Sequence, residues 1–357
     1  MAKILIVRMG ALGDILHALP TVTGIRSALP DATIGWLVEE TWRELLAAQG
    51  TRTSASELSQ QKPVVNLIHA VNTKRWRRRM FYPSTAQEVL NVMRDISRCG
   101  YDATLDFQAN LKSASFAAMS GSPRHAGFAD PRERAARFFY SHKFPRCGEH
   151  VVEQDHGLAV QALKEHLGRK ELKLLAPQLP HDSAAESWVE GEIKKLGIAS
   201  FAIVNPGAGW GGKQWPTERF GEVAQALARH NLRTLVNAGP GETELADAVV
   251  CAGGGNAFSV SCTVGQLIAL TRRARIMIGG DTGPLHLAAA LGVPVVGLYG
   301  PTDPARTGPF GTRAISLRHP ESKTSFSHNS YPDAGLLRIE AQEVIAAARQ
   351  LLGSSHA

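Results

Sequence analysis

Eight residues near the carboxyl end, Gly279-Gly280-Asp281-Thr282-Gly283-Pro284-Leu285-His286, combine types suited to holding a diphosphate. An apolar stretch ends in two glycines, Asp281 or Thr282 can cap a helix, and Pro284 fits its first turn. The amides of Thr282, Gly283 and Leu285 would then face an anion, with His286 about one turn further on the same side. A well-made helix start alone accounts for Asp281 and Pro284. It does not account for the glycine pair or the histidine. A second loop, Asn205 to Pro216, carries four glycines, and its Lys213 could neutralise a leaving diphosphate. An isolated lysine is usually a solvated surface residue, so it is the neighbours of Lys213 that favour a role.

Near the start, Gly10-Ala11-Leu12-Gly13-Asp14 follows an apolar run. Paired glycines permit a tight turn and close approach of a ligand. The dinucleotide fingerprint is absent, because no third glycine follows Gly13. Asp14 would repel a phosphate. Two readings remain open for it: a helix cap, or a general base that takes a hydroxyl proton. Further on, Lys74, Arg75, Arg77, Arg78 and Arg79 place five cations in six positions, with Trp76 between them. A solvated face and a polyanion contact both fit such a run. Arg132, Arg134, Arg137, His142 and Lys143 form a second basic stretch in the same half.

Two doubly wound α/β domains facing a cleft would position these groups. Strands are expected at 3–7, 33–38, 64–68 and 103–107, with helices from about Asp14 and over 41–48 and 86–97. After a linker within 167–183 a second series follows. Its strands are expected at 201–204, 232–237, 276–278 and 293–299, and its helices over 218–229, 242–250, 264–272, 284–291 and 341–352. The 357 residues are 44% hydrophobic, enough for two cores, and only the last residues read as a loose tail. Thirty-nine Lys and Arg against 32 Asp and Glu point to an anionic partner. Four scattered cysteines, Cys99, Cys147, Cys251 and Cys262, suggest reduced thiols rather than disulfides or a zinc site. No secretion signal and no run of roughly 18 apolar residues is visible, which predicts a cytoplasmic protein that at most rests on a membrane.

The opening I-L-I-V-R-x-G-x-L-G-D-x-L-H-x-L-P, the K-x-W-P loop, the D-T-G-x-x-H helix start and Tyr299-Gly-Pro-Thr-Asp-Pro304 together resemble the bacterial ADP-heptose:lipopolysaccharide heptosyltransferases. The R-W-R-R run and the segment Arg132 to Tyr140 are similar to members that add the first heptose to the Kdo region. The resemblance implies a GT-B glycosyltransferase with an acceptor domain over 1–176, an ADP-heptose domain over 177–335, and a final segment, 336–357, crossing back to the first domain. It implies Asp14 as catalytic base, and Lys213, Asp281, Thr282, Gly283 and His286 as donor-binding residues. A donor-domain glutamate is also implied, with Glu242 preferred to Glu244. Lys74, Arg75, Arg77, Arg78 and Arg132 would meet the acidic acceptor, Kdo2-lipid A, at the cytoplasmic face of the inner membrane. Members often carry small hydroxyl residues where this chain has Met9-Gly-Ala-Leu12. The implied reaction is an inverting displacement with no cofactor. No D-x-D clamp stands at a strand end, so metal independence is expected. Rival readings are a second heptosyltransferase, another nucleotide-sugar enzyme such as an epimerase, and a nucleic-acid-binding protein. The last is disfavoured because the basic clusters sit in one half only.

Overall fold

Short, wholly apolar runs such as Ile4 to Val7 can bury both faces only inside a parallel sheet covered by helices on two sides. They lie there in the computed structural model, which describes residues 1–53, 57–325, 327 and 329–353. The chain forms two compact units, Met1–His181 and Asp182–Ala357.

The first unit has strands β1 (Lys3–Val7), β2 (Thr33–Glu39), β3 (Leu67–Val71), β4 (Ala103–Asp106), β5 (Arg124–Phe128) and β6 (His142–Phe144). Its helices are α1 (Leu12–Ala28), α2 (Thr73–Arg78), α3 (Pro83–Arg98), α4 (Leu111–Met119), α5 (Val151–Ala162) and α6 (Lys164–Leu167). The second unit has β7 (Phe201–Asn205), β8 (Arg233–Asn237), β9 (Ala257–Val260), β10 (Ile276–Gly280), β11 (Val295–Tyr299) and β12 (Ala314–Arg318). Around them stand α7 (Ser183–Leu196), α8 (Thr217–Ala228), α9 (Thr243–Ala252), α10 (Val264–Arg273), α11 (Gly283–Ala290), α12 (Pro304–Thr307) and α13 (Ala341–Gly353).

The sheets run β3-β2-β1-β4-β5-β6 and β12-β11-β10-β7-β8-β9, with every pairing parallel. Each unit therefore begins at its central strand, winds outward to one side and then to the other. Connections from β1 and β4 diverge, as do those from β7 and β10. In doubly wound sheets ligands bind at the carboxyl ends of such diverging strands.

Several expectations shift. The helix expected over 41–48 is a 3-10 turn, Glu40–Leu45. The third strand pairs three residues later than its apolar run begins, because Asn66 N donates to Ile34 O (2.8 Å) and Arg26 Nε to Val64 O (3.1 Å). The segment after α6 lies along α1: a Cβ on Gly24 would sit 2.0 Å from the Lys173 carbonyl oxygen, and Leu175 N donates to Pro20 O (3.3 Å). The division between units thus falls after His181 rather than at 176. The final segment is not a separate body. Val344, Ala348 and Leu351 of α13 share one core with Val204, Phe220 and Val296, and Trp215 Nε1 donates to Ile339 O (3.0 Å). The expected loose tail lies outside the described residues. No described helix is long and apolar enough to cross a membrane.

Candidate active site

In the second unit, β7 ends in Asn205 and β10 in Gly280, side by side. Asn205 Nδ2 donates to Gly207 O (2.9 Å) and to Thr282 Oγ1 (3.4 Å), while its Oδ1 accepts from Asn237 Nδ2 (2.7 Å) at the end of β8. Two nearly buried asparagines thus tie three strand ends together. The glycine pair has a local cause: a Cβ on Gly279 would sit 3.0 Å from Asn205 O, and one on Gly280 would sit 3.0 Å from Lys213 O. The close approaches are made by the chain itself, at the end of β7 and in the loop that follows it.

That loop delivers Lys213 to Asp281. Lys213 Nζ lies 2.6 Å from Asp281 Oδ2, 3.0 Å from Asp281 O, and 4.4 Å from the centre of the Trp210 ring. His286 Nε2 donates to Asp281 Oδ1 (2.9 Å). Burial would raise the Asp281 carboxyl, but the hydrogen bond and charge of His286, with those of Lys213, outweigh it and hold the group well below the usual carboxylate range. Thr282 precedes α11, its Oγ1 donating to Gly280 O (3.2 Å), and Gly283 is the first helical residue. The first N–H groups of a helix have no acceptor within it, and the helix dipole favours an anion there.

Glu242 stands just before α9, at the carboxyl end of β8. Its Oε2 accepts from Gly239 N (2.9 Å), and its carboxylate occupies the space over Gly207, where a Cβ would come within 2.1 Å. Glu244 is exposed on the first turn of α9. Geometry therefore places Glu242, not Glu244, over the loop that follows β7.

In the first unit, Asp14 is in the opening turn of α1, at the carboxyl end of β1. Its Oδ2 accepts from Ala11 N (2.9 Å) and its Oδ1 meets Arg8 Nη2 (3.1 Å). The carboxylate caps its own helix, yet 47% of the side chain remains exposed. Arg8 is buried, with Nη1 bonded to Phe107 O and its own carbonyl accepting from Trp36 Nε1 (3.0 Å). Burial lowers its proton affinity, but Asp14, Asp155 and Asp106 together raise it further. Met9 N donates to Gln108 Oε1 (2.7 Å), and Gln108 N to Asp106 Oδ1 (2.9 Å), which locks the loops after β1 and β4 together. Asp106 also accepts from Ser113 Oγ and Tyr140 OH, each at 2.7 Å. Burial pushes the Asp155 carboxyl up to about 7 against the opposing pull of Arg8. Residue types and spacing did not single out Arg8, Asp106 or Asp155. The available signal for Arg8 was a charge closing an otherwise apolar central strand.

The basic run forms α2, capped where Asn72 Oδ1 accepts from Arg75 N (3.0 Å). Lys74, Arg77 and Arg78 are exposed, whereas Arg75 pairs with Glu88, which also accepts from Trp76 Nε1 (2.8 Å). Arg75, Trp76, Glu88 and Asn91 line an open groove of 420 Å³. Arg132 is exposed after β5, beside Glu133, whose Oε2 accepts from Leu111 N (3.1 Å) at the start of α4. Asp14 and these cations thus follow carboxyl ends of strands in one sheet. Among the described residues, no group of three or more His, Cys, Asp or Glu is arranged to hold a metal ion. The four cysteines are free.

The pattern of glycosyltransferase family 9 (heptosyltransferase) matches residues 89–332. Lipopolysaccharide heptosyltransferase 1 of Pseudomonas aeruginosa is 27% identical over 319 residues, 88% of this chain and 83% of that protein. A family 9 glycosyl transferase from Veillonella parvula superposes with a TM-score of 0.81 at 23% identity, covering 99% of this chain and 98% of that one. The Escherichia coli heptosyltransferase WaaC, solved with ADP, gives 0.76 at 23% identity over 98% and 99% of the two chains.

Proposed function

Because the chain belongs to glycosyltransferase family 9, the heptosyltransferases, we propose that it moves L-glycero-D-manno-heptose from ADP-heptose to a Kdo residue of Kdo2-lipid A, in assembly of the lipopolysaccharide inner core. The observation that carries the donor assignment is the Lys213–Asp281–His286 cluster at the start of α11, where strands diverge. The ADP of the relative solved with it supports the same nucleotide here.

In this reading the amides of Thr282, Gly283 and Leu285 bind the diphosphate, and Thr282 adds a hydroxyl. Lys213 exchanges Asp281 for the leaving phosphate as negative charge builds there. Asp281 orients His286 toward the donor. Glu242, over Gly207, accepts hydroxyls of the nucleotide sugar.

Asp14 takes the proton of the Kdo hydroxyl as that oxygen attacks the anomeric carbon from the face opposite ADP, which inverts the configuration. Arg8 keeps the Asp14 carboxylate oriented from beneath. Lys74, Arg75, Arg77, Arg78 and Arg132 meet the acidic acceptor, and the reaction runs on the cytoplasmic face of the inner membrane without a metal ion.

The test is release of ADP from ADP-heptose in the presence of Kdo2-lipid A. Release is expected to require both substrates and to survive a chelator. Asp14→Ala is expected to lower turnover by about 10² to 10⁴ while ADP-heptose affinity is retained. Release only with an acceptor that already bears heptose would move the chain to a later step of the core. Turnover that survives Asp14→Ala would remove Asp14 as the base.

A further inference from the structure

Directly after the cations of α2, Met80, Phe81 and Tyr82 are 63%, 91% and 62% exposed. The chain turns sharply there, with Tyr82 N donating to Arg79 O (3.0 Å) and Thr85 N to Tyr82 O (2.9 Å), so the three side chains stand out at the corner between α2 and α3. A second group repeats the pattern: Phe138 is 84% exposed and Phe139 37%, within a 3-10 turn that also carries exposed Arg134 and Arg137. The start of α4 bonds to the beginning of α2 and to the residue before the 3-10 turn. Lys112 Nζ donates to Thr73 Oγ1 (2.9 Å) on the α2 side, Leu111 N donates to Glu133 on the other, and Leu111 itself is 42% exposed.

We propose that the corner Met80-Phe81-Tyr82, directly following exposed Arg77, Arg78 and Arg79, is a seat for an anionic lipid bilayer, with Phe138 between Arg134 and Arg137 offering a second contact of the same kind. Adjacent, mostly exposed aromatic and thioether side chains suit the headgroup layer, where amphipathic rings concentrate. The arginines next to them in the chain match lipid phosphates, and their stems can lie along the acyl boundary. A nucleic acid is the poorer fit. Trp76 is held by Glu88 and stacks toward Phe116, with ring centres 6.3 Å apart, so the one indole in the run is not offered to bases. The seat lies at the same sheet edge as Asp14 and the acceptor cations, so a lipid-borne acceptor would reach the base without leaving the membrane. Only that last consequence rests on the proposed acceptor.

The test uses the full chain and vesicles that contain no acceptor, so a wrong acceptor assignment leaves it readable. Flotation is expected with phosphatidylethanolamine–phosphatidylglycerol vesicles, to weaken with salt, and to be absent with phosphatidylcholine. The triple variant Met80→Ser, Phe81→Ser, Tyr82→Ser is expected to lose about tenfold in vesicle affinity. Its melting temperature and its turnover on a soluble, deacylated acceptor are expected to stay unchanged. Phe81→Trp gives an independent reading: blue-shifted emission, quenched by brominated acyl chains, only with the anionic vesicles. No flotation of the wild-type chain, equal flotation of the triple variant, no emission shift, or RNA binding in place of vesicle binding would each overturn the proposal.

Discussion

Asp281 answers two nearly buried partners at once, Lys213 and His286. Removing one member of a buried charge cluster strands the others, typically at about 3–5 kcal/mol. Asp281→Ala is therefore expected to lower urea stability by that order, and Asp281→Asn by less, since an amide can still bond His286. The stabilisation from the depressed Asp281 carboxyl is complete above the ordinary carboxylate range and is lost as pH falls through its lowered value. Asp155 has the opposite sign. Its folded carboxyl holds a proton up to about 7, whereas the unfolded one releases it near 3.8. Stability from this group is thus lost as pH rises between those values, and Asp155→Asn is expected to flatten that decline in melting temperature against pH. Asp14, Lys213, Asp281 and His286 were legible as candidates because glycines and a proline mark the turns that present them. Arg8 and Asp155 were not, because a buried charge is explained only by partners far away along the chain.

At the scale of elements, Gly207 shows how a loop makes room for chemistry. A methyl group there would collide with the Glu242 carboxylate at 2.1 Å. Gly207→Ala is expected to displace Glu242 and weaken ADP-heptose binding by about tenfold, the worth of one hydrogen bond to a charged group, with secondary structure retained. Calorimetry would measure it, and unchanged affinity would take Glu242 out of the donor site. Central strands were readable because both faces are buried and their sequences are continuously apolar, as in β1, β7 and β10. The outer strands β5 and β6 were not. β6 is three residues, His-Lys-Phe, and β5 opens with Arg124-His125, so neither carries a period-two or a continuous apolar signature. Helix α2 was hidden for a related reason: it has no fully buried residue and is held by its Asn72 cap and by Trp76.

For the whole molecule, the resemblance implied a final helix crossing to the first unit, and the packing places it in the second. Val344 and Ala348 are fully buried against that unit's own sheet, and Arg219 Nη1 donates to Leu337 O and Ile339 O, both at 2.7 Å. A fragment beginning at Asp182 is accordingly expected to fold alone and to bind ADP with the affinity of the full chain. Deleting 341–353 is expected to abolish cooperative unfolding of that fragment, which circular dichroism on heating would show. Two-domain organisation was legible from the break in pattern after α6. The boundary was not, because the segment 173–178 looks like a free linker in sequence but is bound along α1 through Gly24, Pro20 and Thr23.

The place of β1 in the middle of its sheet has a consequence for synthesis. The ribosome makes this strand before the others of its sheet, and β2 soon covers one side, but the other side stays bare until Ala103–Asp106 is translated. At ordinary elongation rates that interval is on the order of ten seconds, during which an apolar strand offers unpaired backbone to any neighbour. Nascent chains arrested before Ala103 are expected to recruit chaperones, and chains arrested well past Asp106 to release them.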